Sequence, residues 1–162
     1  MRAATPAQER RRAVLTKMDD EYGYTPLLWA ARRGNVNVVQ WLVEDGGADV
    51  NAGCGHGGYR GSTPLLEAAA WCNLECMNYL LSHKAEIEQP RGDGATPLAI
   101  AAMLGHTSAC EVLIGAGARL DVKRFDGLTP VQLAKRAGHL GVVHLLQTCA
   151  KQRKTEAANK TG

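Results

Sequence analysis

Four side chains near the middle of the chain have the chemistry of zinc ligands. Cys54 and His56 lie in a glycine-rich stretch, and Cys72 and Cys76 follow it. Thiolates and imidazoles are the usual ligands of structural zinc. Cys72 and Cys76 are separated by three residues, however, whereas a zinc knuckle separates its cysteines by two. Cys76 also aligns with apolar positions of a repeat described below, so we interpret it as a core residue and expect no bound metal.

The same stretch, from Gly53 to Gly58, satisfies the G-x-G-x-x-G pattern of dinucleotide-binding loops. That pattern binds a pyrophosphate only where it joins a strand to a helix. Here it lies between two helical segments, so we expect neither a nucleotide nor any other cofactor.

Histidines could serve as general bases, and four of them lie in the second half of the chain, at His83, His106, His139 and His144. A hydrolytic site also needs a nucleophile and a group that orients the base. None of these histidines has an evident Ser or Cys and carboxylate partner. The sequence therefore predicts a protein that is not an enzyme.

The elements that carry these residues recur along the chain. Thr-Pro begins at Thr25, Thr63, Thr96 and Thr129, at spacings of 38, 33 and 33 residues. A Thr hydroxyl can cap a helix, and Pro suits the first helical position. Small residues follow five and six positions after the first three threonines, where they let helices approach closely. The pattern predicts stacked pairs of antiparallel helices.

The third copy, residues 93–121, is the most complete, and it resembles an ankyrin repeat. That family has a period of about 33 residues built around Thr-Pro-Leu, Ala-Ala, Gly-His and Gly-Ala-Asp. The resemblance covers residues 20–150. It implies an all-α solenoid of four helix-turn-helix repeats with short β-hairpin-like fingers, at about 20–52, 58–89, 90–122 and 123–150.

The family's His after Thr-Pro-Leu is absent throughout. The residues in its place are Leu28, Leu66, Ala99 and Gln132. The hydrogen bonds that this His usually supplies between loops must therefore be missing or replaced.

Several positions of the second repeat depart from its neighbours. The loop at 52–61 is lengthened and glycine-rich, so we expect it to protrude and move. Cys72 replaces a helix-ending Gly, and a left-handed residue other than Gly costs about 1–2 kcal/mol, which favours a remodelled turn here. Glu67 aligns with Trp29, Ile100 and Leu133, and we expect its carboxylate to reach solvent or a loop amide.

In the first repeat, we expect Trp29 and Trp41 to lie in core columns.

The two ends of the chain are basic. Residues 1–18 carry five Lys or Arg and one Glu, and residues 151–162 carry four and one. We predict that residues 1–18 form a capping segment for the first repeat, helical from 6 to 18, with a frayed tail or a mitochondrial transit peptide as alternatives. We predict a disordered tail at 151–162. Lys135, in the place of a small residue, marks the fourth repeat as a C-terminal cap.

Other bulk features bound the class of protein. The chain has 162 residues, which suits one domain, and five cysteines, an odd number that favours a reducing compartment. We therefore expect a cytoplasmic or nuclear protein, monomeric on its own. No apolar run approaches the roughly 18 residues of a membrane span, so we expect no membrane partner.

The resemblance also implies where a partner would bind. In ankyrin-like solenoids, contacts come from the finger before Thr-Pro-Leu and from exposed residues after Ala-Ala. Three of the four Tyr, the only Phe and one Trp fall in those columns, and aromatics and Arg dominate interface energies. The predicted partner-binding residues are Tyr22, Tyr24, Arg32, Arg33, Tyr59, Arg60, Trp71, Asp93, Met103, Leu104, Phe125, Leu128 and Arg136.

These features predict a protein-binding adaptor or scaffold whose partner is another protein of unknown identity. Two alternatives stay open. One is an inhibitor or regulatory subunit of an enzyme such as a kinase, as some small ankyrin-repeat proteins are. The other is a factor that associates with nucleic acid through its basic ends, although no alternation of aromatic and basic residues supports it.

Overall fold

A computed structural model describes residues 23–56 and 60–160, together with Thr5 and Lys17. The predicted N-terminal helix at 6–18, Tyr22 and Tyr59 lie outside the described residues. Eight helices and no strand occur in the part that is described, so the fold is all-α, as predicted. In order the helices are α1 Pro26–Arg33, α2 Val36–Glu44, α3 Pro64–Ala70, α4 Leu74–Ser82, α5 Pro97–Leu104, α6 Thr107–Gly115, α7 Pro130–Ala137 and α8 Leu140–Lys160.

The Thr-Pro pairs start helices α1, α3, α5 and α7. The hydroxyls of Thr25, Thr63 and Thr96 each accept a hydrogen bond from the backbone N–H three residues on, at 3.3 Å. In the fourth repeat Gln132 Oε1 accepts from the Thr129 N–H at 2.9 Å and from its hydroxyl at 3.0 Å. Gln132 therefore replaces the missing His with a local hydrogen bond.

Left-handed residues follow the same four helices. Gly34, Gly105 and Gly138 cap α1, α5 and α7, with φ between 73° and 81°. Cys72 is left-handed as well, with φ of 55°. Its turn differs from the other three, because α3 ends at Ala70 and Trp71, with φ of −109°, lies between the helix and Cys72.

The helices stack in two layers, and one apolar core runs through all four repeats between them. Its largest members are leucines, with Met77 and Val142, and all are almost fully buried. The paired alanines of α1, α3 and α5 are at most 5% exposed. Leu28, Leu66 and Ala99 lie in two smaller buried clusters under the loops. In these three repeats a buried apolar side chain therefore occupies the position of the family's polar His. Burial of each leucine stabilises the folded state by roughly 1.5–3 kcal/mol.

Helix α8 continues to Lys160, so the prediction of a disordered tail at 151–162 was wrong for residues 151–160. The physical reason is Arg153. Its guanidinium donates to the Ala118 carbonyl at 2.8 Å and to the Ile114 carbonyl at 3.1 Å. Arg153 thereby ties α8 to the last turn of α6 and to the loop that follows it.

The core assignment of two tryptophans was also wrong. Trp29 is only half-buried, and Trp41 is 42% exposed. Trp41 shares its column with Tyr79, Val112 and Leu145, which are half-buried too. That column lies at the margin of the core, and an indole is too large to be enclosed there.

Candidate functional site on the finger face

The helices α1, α3, α5 and α7, with the loop that precedes each, form one surface that we call the finger face. A cavity of about 470 Å³ opens on it between α1, α3 and α5. Its apolar lining comes from Leu66, Ala70, Trp71, Ile100, Met103 and Leu104. Its polar lining comes from Arg32, Glu67, Arg91 and His106.

A buried carboxylate lies at the floor of this cavity. Glu67 is 2% exposed, and its Oε1 accepts hydrogen bonds from the Tyr24 hydroxyl at 2.6 Å and the Ser62 hydroxyl at 2.5 Å. Its Oε2 lies 3.7 Å from Arg32 Nη1. Glu67 was expected to reach solvent or a loop amide; it is satisfied by three side chains instead. A buried charge is stable only when it is paired and hydrogen-bonded in this way.

Tyr24 is 1% exposed, so its predicted place on the binding surface was wrong. Its column also holds Ser62 and Ala95, both fully buried, and the half-buried Leu128. These residues lie beneath the loops. Burial, and then the hydrogen bond to Glu67, hold the pKa of Tyr24 well above its ordinary value. The tyrosine therefore stays a neutral hydrogen-bond donor to the carboxylate.

Arg32 links the buried carboxylate to the exposed aromatic surface. Its guanidinium lies 4.9 Å from the centre of the Trp71 ring and 5.6 Å from that of Trp29. Its Nη1 donates to the Tyr24 hydroxyl at 3.2 Å. Trp71 is 54% exposed and therefore stands at the cavity wall with Arg32 against one side. Cation–π contacts of this kind contribute about 0.5–1 kcal/mol at exposed sites and orient the ring.

Two side chains of neighbouring repeats hold the helix ends that carry Arg32 and Trp71. Asn73 Nδ2 donates to the Ala31 carbonyl at 2.8 Å and to the Arg32 carbonyl at 3.0 Å. His106 Nε2 lies 3.1 Å from the Ala70 carbonyl. Both residues follow the left-handed residue that ends a helix. They position the cavity wall, a role that sequence reasoning did not assign to Asn73.

The loops before α3, α5 and α7 are joined by backbone and ionic contacts. Gly92 donates to the Arg60 carbonyl at 2.8 Å, and Phe125 donates to the Asp93 carbonyl at 3.1 Å. Asp93 pairs with Arg91 at 2.8 Å and lies 3.6 Å from Arg124. The hydrogen bond from Arg91 holds the pKa of Asp93 below its ordinary value. These contacts tie the finger loops into one surface.

A family model described as "Ankyrin repeats (3 copies)" matches residues 12–91 and 85–157. The chain belongs to the ankyrin-repeat family. Ankyrin repeats generally mediate protein–protein interaction and are typically non-catalytic.

Curated relatives of this ankyrin-repeat chain come from nematodes. The chain is 37% identical over 79 residues to an ankyrin repeat and KH domain-containing protein of Caenorhabditis briggsae, CBG24701. It is 34% identical over 79 residues to the ankyrin repeat and KH domain-containing protein mask-1 of Caenorhabditis elegans. Each match covers 49% of this chain and 3% of the relative.

The predicted partner-binding residues of this ankyrin domain fall into three groups. Arg32, Trp71, Met103 and Leu104 line the cavity together. Arg33, Arg60, Phe125 and Arg136 are exposed elsewhere, with Phe125 80% exposed. The remaining described ones are half-buried or buried: Asp93, Leu128 and Tyr24.

Sequence reasoning did not place Glu67, Arg91, Ile100 or His106 at the site. Glu67 carried a signal, because it is a carboxylate in a column of apolar residues. Arg91 carried none, since its contact with the cavity depends on how the finger loop folds.

The candidate zinc ligands have other contacts. The Cys54 thiol donates to the His56 carbonyl at 3.1 Å, and Cys76 is fully buried in the core. Across the ranges 23–56 and 60–160 no cluster of three or more His, Cys, Asp or Glu is arranged to hold a metal ion. No helix in those ranges has the length and apolarity needed to cross a membrane.

Charge is segregated between the two layers of the ankyrin solenoid. Within the described residues up to 150, the finger face, with the loops 45–56, 60–63, 83–96 and 116–129 included, carries ten basic and eight acidic residues, a net charge of +2. The helices of the opposite layer, counted to residue 150, carry three acidic residues and no basic one, a net charge of −3. The net positive charge of the solenoid therefore lies on the finger face.

Proposed function

We propose that this ankyrin-repeat chain is an adaptor that binds a partner protein on its finger face, with the cavity beside Trp71 at the centre of the contact. The observation that carries the proposal is the exposed apolar wall. Trp71 is 54% exposed and Leu104 is 43% exposed, although both border a core of fully buried residues. Interface hot spots are enriched in tryptophan and are associated with pockets.

The contacts around Trp71 support a binding role. Arg32 stacks on it, and Asn73 and His106 hold the neighbouring helix ends. A wall that is ordered before binding loses little conformational entropy when a partner arrives. Four repeats at about 8–10 Å per helix spacing give a face long enough for the roughly 800 Å² per partner of a standard interface.

The proposal also concerns the cellular compartment in which the adaptor works. All five cysteines are free, and Cys54, Cys76 and Cys110 are buried. Free thiols persist in reducing compartments, so we place the adaptor in the cytoplasm or nucleus.

The test compares two tryptophans of similar exposure on opposite layers. Trp71→Ala removes the cavity wall, and Trp41→Ala is the matched control on α2, where Trp41 is 42% exposed. Tagged wild-type protein and both variants are used to purify binding proteins, and the affinity of each recovered protein is measured. Trp71→Ala should weaken binding by about 2 kcal/mol or more, roughly thirtyfold in Kd.

Thermal unfolding of both variants checks that the chain remains folded. A partner that is lost from Trp41→Ala and retained by Trp71→Ala would place the binding surface on the opposite layer and refute the proposed site.

A further inference from the structure

We propose that the partner presents an acidic segment to the finger face and inserts one of its apolar side chains into the cavity beside Trp71. This inference rests on the proposed function and names the chemistry of the partner. The juxtaposition that carries it is an apolar cavity with Arg32 and Arg91 in its lining, on the layer of the described solenoid that carries the net positive charge.

The cavity is suited to an apolar side chain. Its walls are Trp71, Leu104, Met103, Ile100 and Leu66, and its volume of about 470 Å³ lies within the roughly 300–1,000 Å³ of ligand pockets. The carboxylate of Glu67 is at the floor, but both of its oxygens face Tyr24, Ser62 and Arg32. An inserted group therefore meets mainly carbon.

The surroundings of the cavity are suited to carboxylates. Arg32 and Arg91 line the cavity and already pair with Glu67 and Asp93, whereas Arg33 and Arg60 are exposed on the same face, where an added carboxylate can reach them. The finger face carries a net charge of +2, and the helices of the opposite layer up to residue 150 carry −3. A partner with acidic residues is thus attracted to the finger face and repelled by the other layer, and such complementarity fixes orientation and raises the rate of association.

An acidic protein segment fits this face better than a nucleic acid does. A phosphate backbone needs a row of cations, and here aspartates interrupt the row on the fingers. Asp93 pairs with Arg91, and Asp126 pairs with Arg124 at 2.6 Å. The apolar wall of the cavity also gives a leucine or phenylalanine a place to be buried, which a phosphate group cannot use.

The test is a selection of random peptides displayed on phage against the purified full chain, followed by affinity measurements on synthetic copies of the enriched sequences. We expect enriched peptides to carry Asp or Glu close to Leu, Ile, Met or Phe. Raising NaCl from about 0.1 M to about 1 M should lower the affinity of these peptides for the chain, because the Debye length falls from about 10 Å to about 3 Å.

Two matched pairs of variants assign the contacts. Leu104→Ala should lower the affinity for the peptides by about tenfold, and Trp41→Ala should leave it unchanged. The double variant Arg33→Gln, Arg60→Gln removes two positive charges from the finger face and should lower the affinity by about threefold to tenfold. The double variant Lys151→Gln, Lys154→Gln removes the same charge from the exposed side of α8 and should leave affinity unchanged.

The outcomes separate this inference from the proposed function. Enriched peptides that are neutral or basic, lose affinity with Leu104→Ala and tolerate the arginine variant would overturn the acidic partner and leave the binding site in place. Enriched peptides that tolerate Leu104→Ala, Trp71→Ala and the arginine variant would overturn both. A selection without enrichment would overturn the acidic segment as the occupant.

A fluorescent single-stranded oligouridine tests the competing class of macromolecule. Binding of the RNA that falls with the arginine variant and is unchanged by Leu104→Ala, in the absence of any acidic peptide, would replace this inference with a nucleic-acid surface. Failure of the RNA to bind, together with the expected peptide results, supports the acidic segment.

Discussion

The second and third repeats have the same helix positions but solve one packing problem in opposite ways. In the column that runs through α3 and α5, the second repeat has Glu67 and the third has Ile100. Both side chains are 2% exposed. The aligned position beneath the loops differs as well: the second repeat has the polar Ser62 there, and the third has Ala95. A buried carboxylate and a buried aliphatic group thus occupy equivalent places.

The difference shows what the polar solution requires. Ile100 needs only apolar neighbours, which Leu66, Ala99 and Leu133 supply. Glu67 needs three donors, and they come from two repeats: Ser62 from its own, and Tyr24 and Arg32 from the one before. The carboxylate therefore couples the first repeat to the second, and it also holds Arg32 where that side chain can stack on Trp71. Ile100 also contacts its neighbouring repeats, through Leu66 and Leu133, but it does so by apolar packing alone.

The largest expected effect tests the apolar solution. Ile100→Ala should lower the free energy of unfolding by about 2–5 kcal/mol, because a fully buried side chain is replaced by a void. Urea unfolding at neutral pH measures it. A loss below about 1 kcal/mol would mean that the cavity next to Ile100 collapses without cost.

The polar solution is tested by Glu67→Gln. The amide keeps the shape and one acceptor oxygen but loses the charge that faces Arg32, so we expect a loss of about 1–3 kcal/mol. The same variant should also loosen Arg32 from Trp71, which a change in the tryptophan fluorescence would report. Unchanged stability would show that the carboxylate is not held by the donors that surround it.

Coupling between the first two repeats is tested by Tyr24→Phe. Loss of the hydroxyl should cost about 0.5–1.5 kcal/mol by itself. In a double-mutant cycle with Glu67→Gln, the two effects should be non-additive by at least about 0.5 kcal/mol, because the groups are in direct contact. Tyr24→Phe combined with Ile100→Ala is the matched cycle without a shared contact. Equal coupling in both cycles would contradict the network.

A smaller effect is expected at the turn where the two repeats also differ. Cys72 has φ of 55°, and its counterpart is Gly105. Cys72→Gly should be neutral or stabilising by up to about 1 kcal/mol, because relief of left-handed strain offsets the freedom that Gly adds to the unfolded chain. A loss above about 1 kcal/mol on urea unfolding would show that packing of the thiol is the larger contribution.

The matched change in the third repeat is Gly105→Ala. A Cβ there would lie 2.5 Å from the His139 ring on a backbone with φ of 78°. It should destabilise the chain, so the two changes are expected to have opposite signs.

The smallest effect concerns pH and the finger loops. The hydrogen bond from Arg91 lowers the pKa of Asp93 from its ordinary value of 3.8, so the folded state favours the carboxylate. That contribution is present in full above the unfolded-state pKa and is lost as the pH falls through the lower folded-state value. Asp93→Asn should therefore cost less than about 1 kcal/mol at pH 7, and the cost should shrink as the pH falls and the carboxyl of the wild-type protein is protonated. A cost that does not change with pH would show that the charge of Asp93 is not its source.

The fold was predictable because its signals are local. Each Thr-Pro pair caps and starts a helix through contacts within three residues, and left-handed glycines end α1 and α5 through bonds of similar range. The left-handed Cys72 followed from its place in the repeat alone. The exposure of Trp71 and Leu104 also followed from the column, since neighbouring repeats place equivalent residues on the same side of the solenoid.

The site was less predictable because its contacts join residues that are far apart in the chain. Tyr24 and Glu67 are 43 positions apart, and nothing in the neighbourhood of either residue indicates that the other will satisfy it. Tyr24 therefore looked like a surface aromatic, and Glu67 looked like a carboxylate in need of solvent. The ordering of residues 151–160 depends in the same way on Arg153 reaching carbonyls 35 and 39 positions earlier. Local chemistry specifies the repeats, whereas burial and the pairing of charges depend on how those repeats stack.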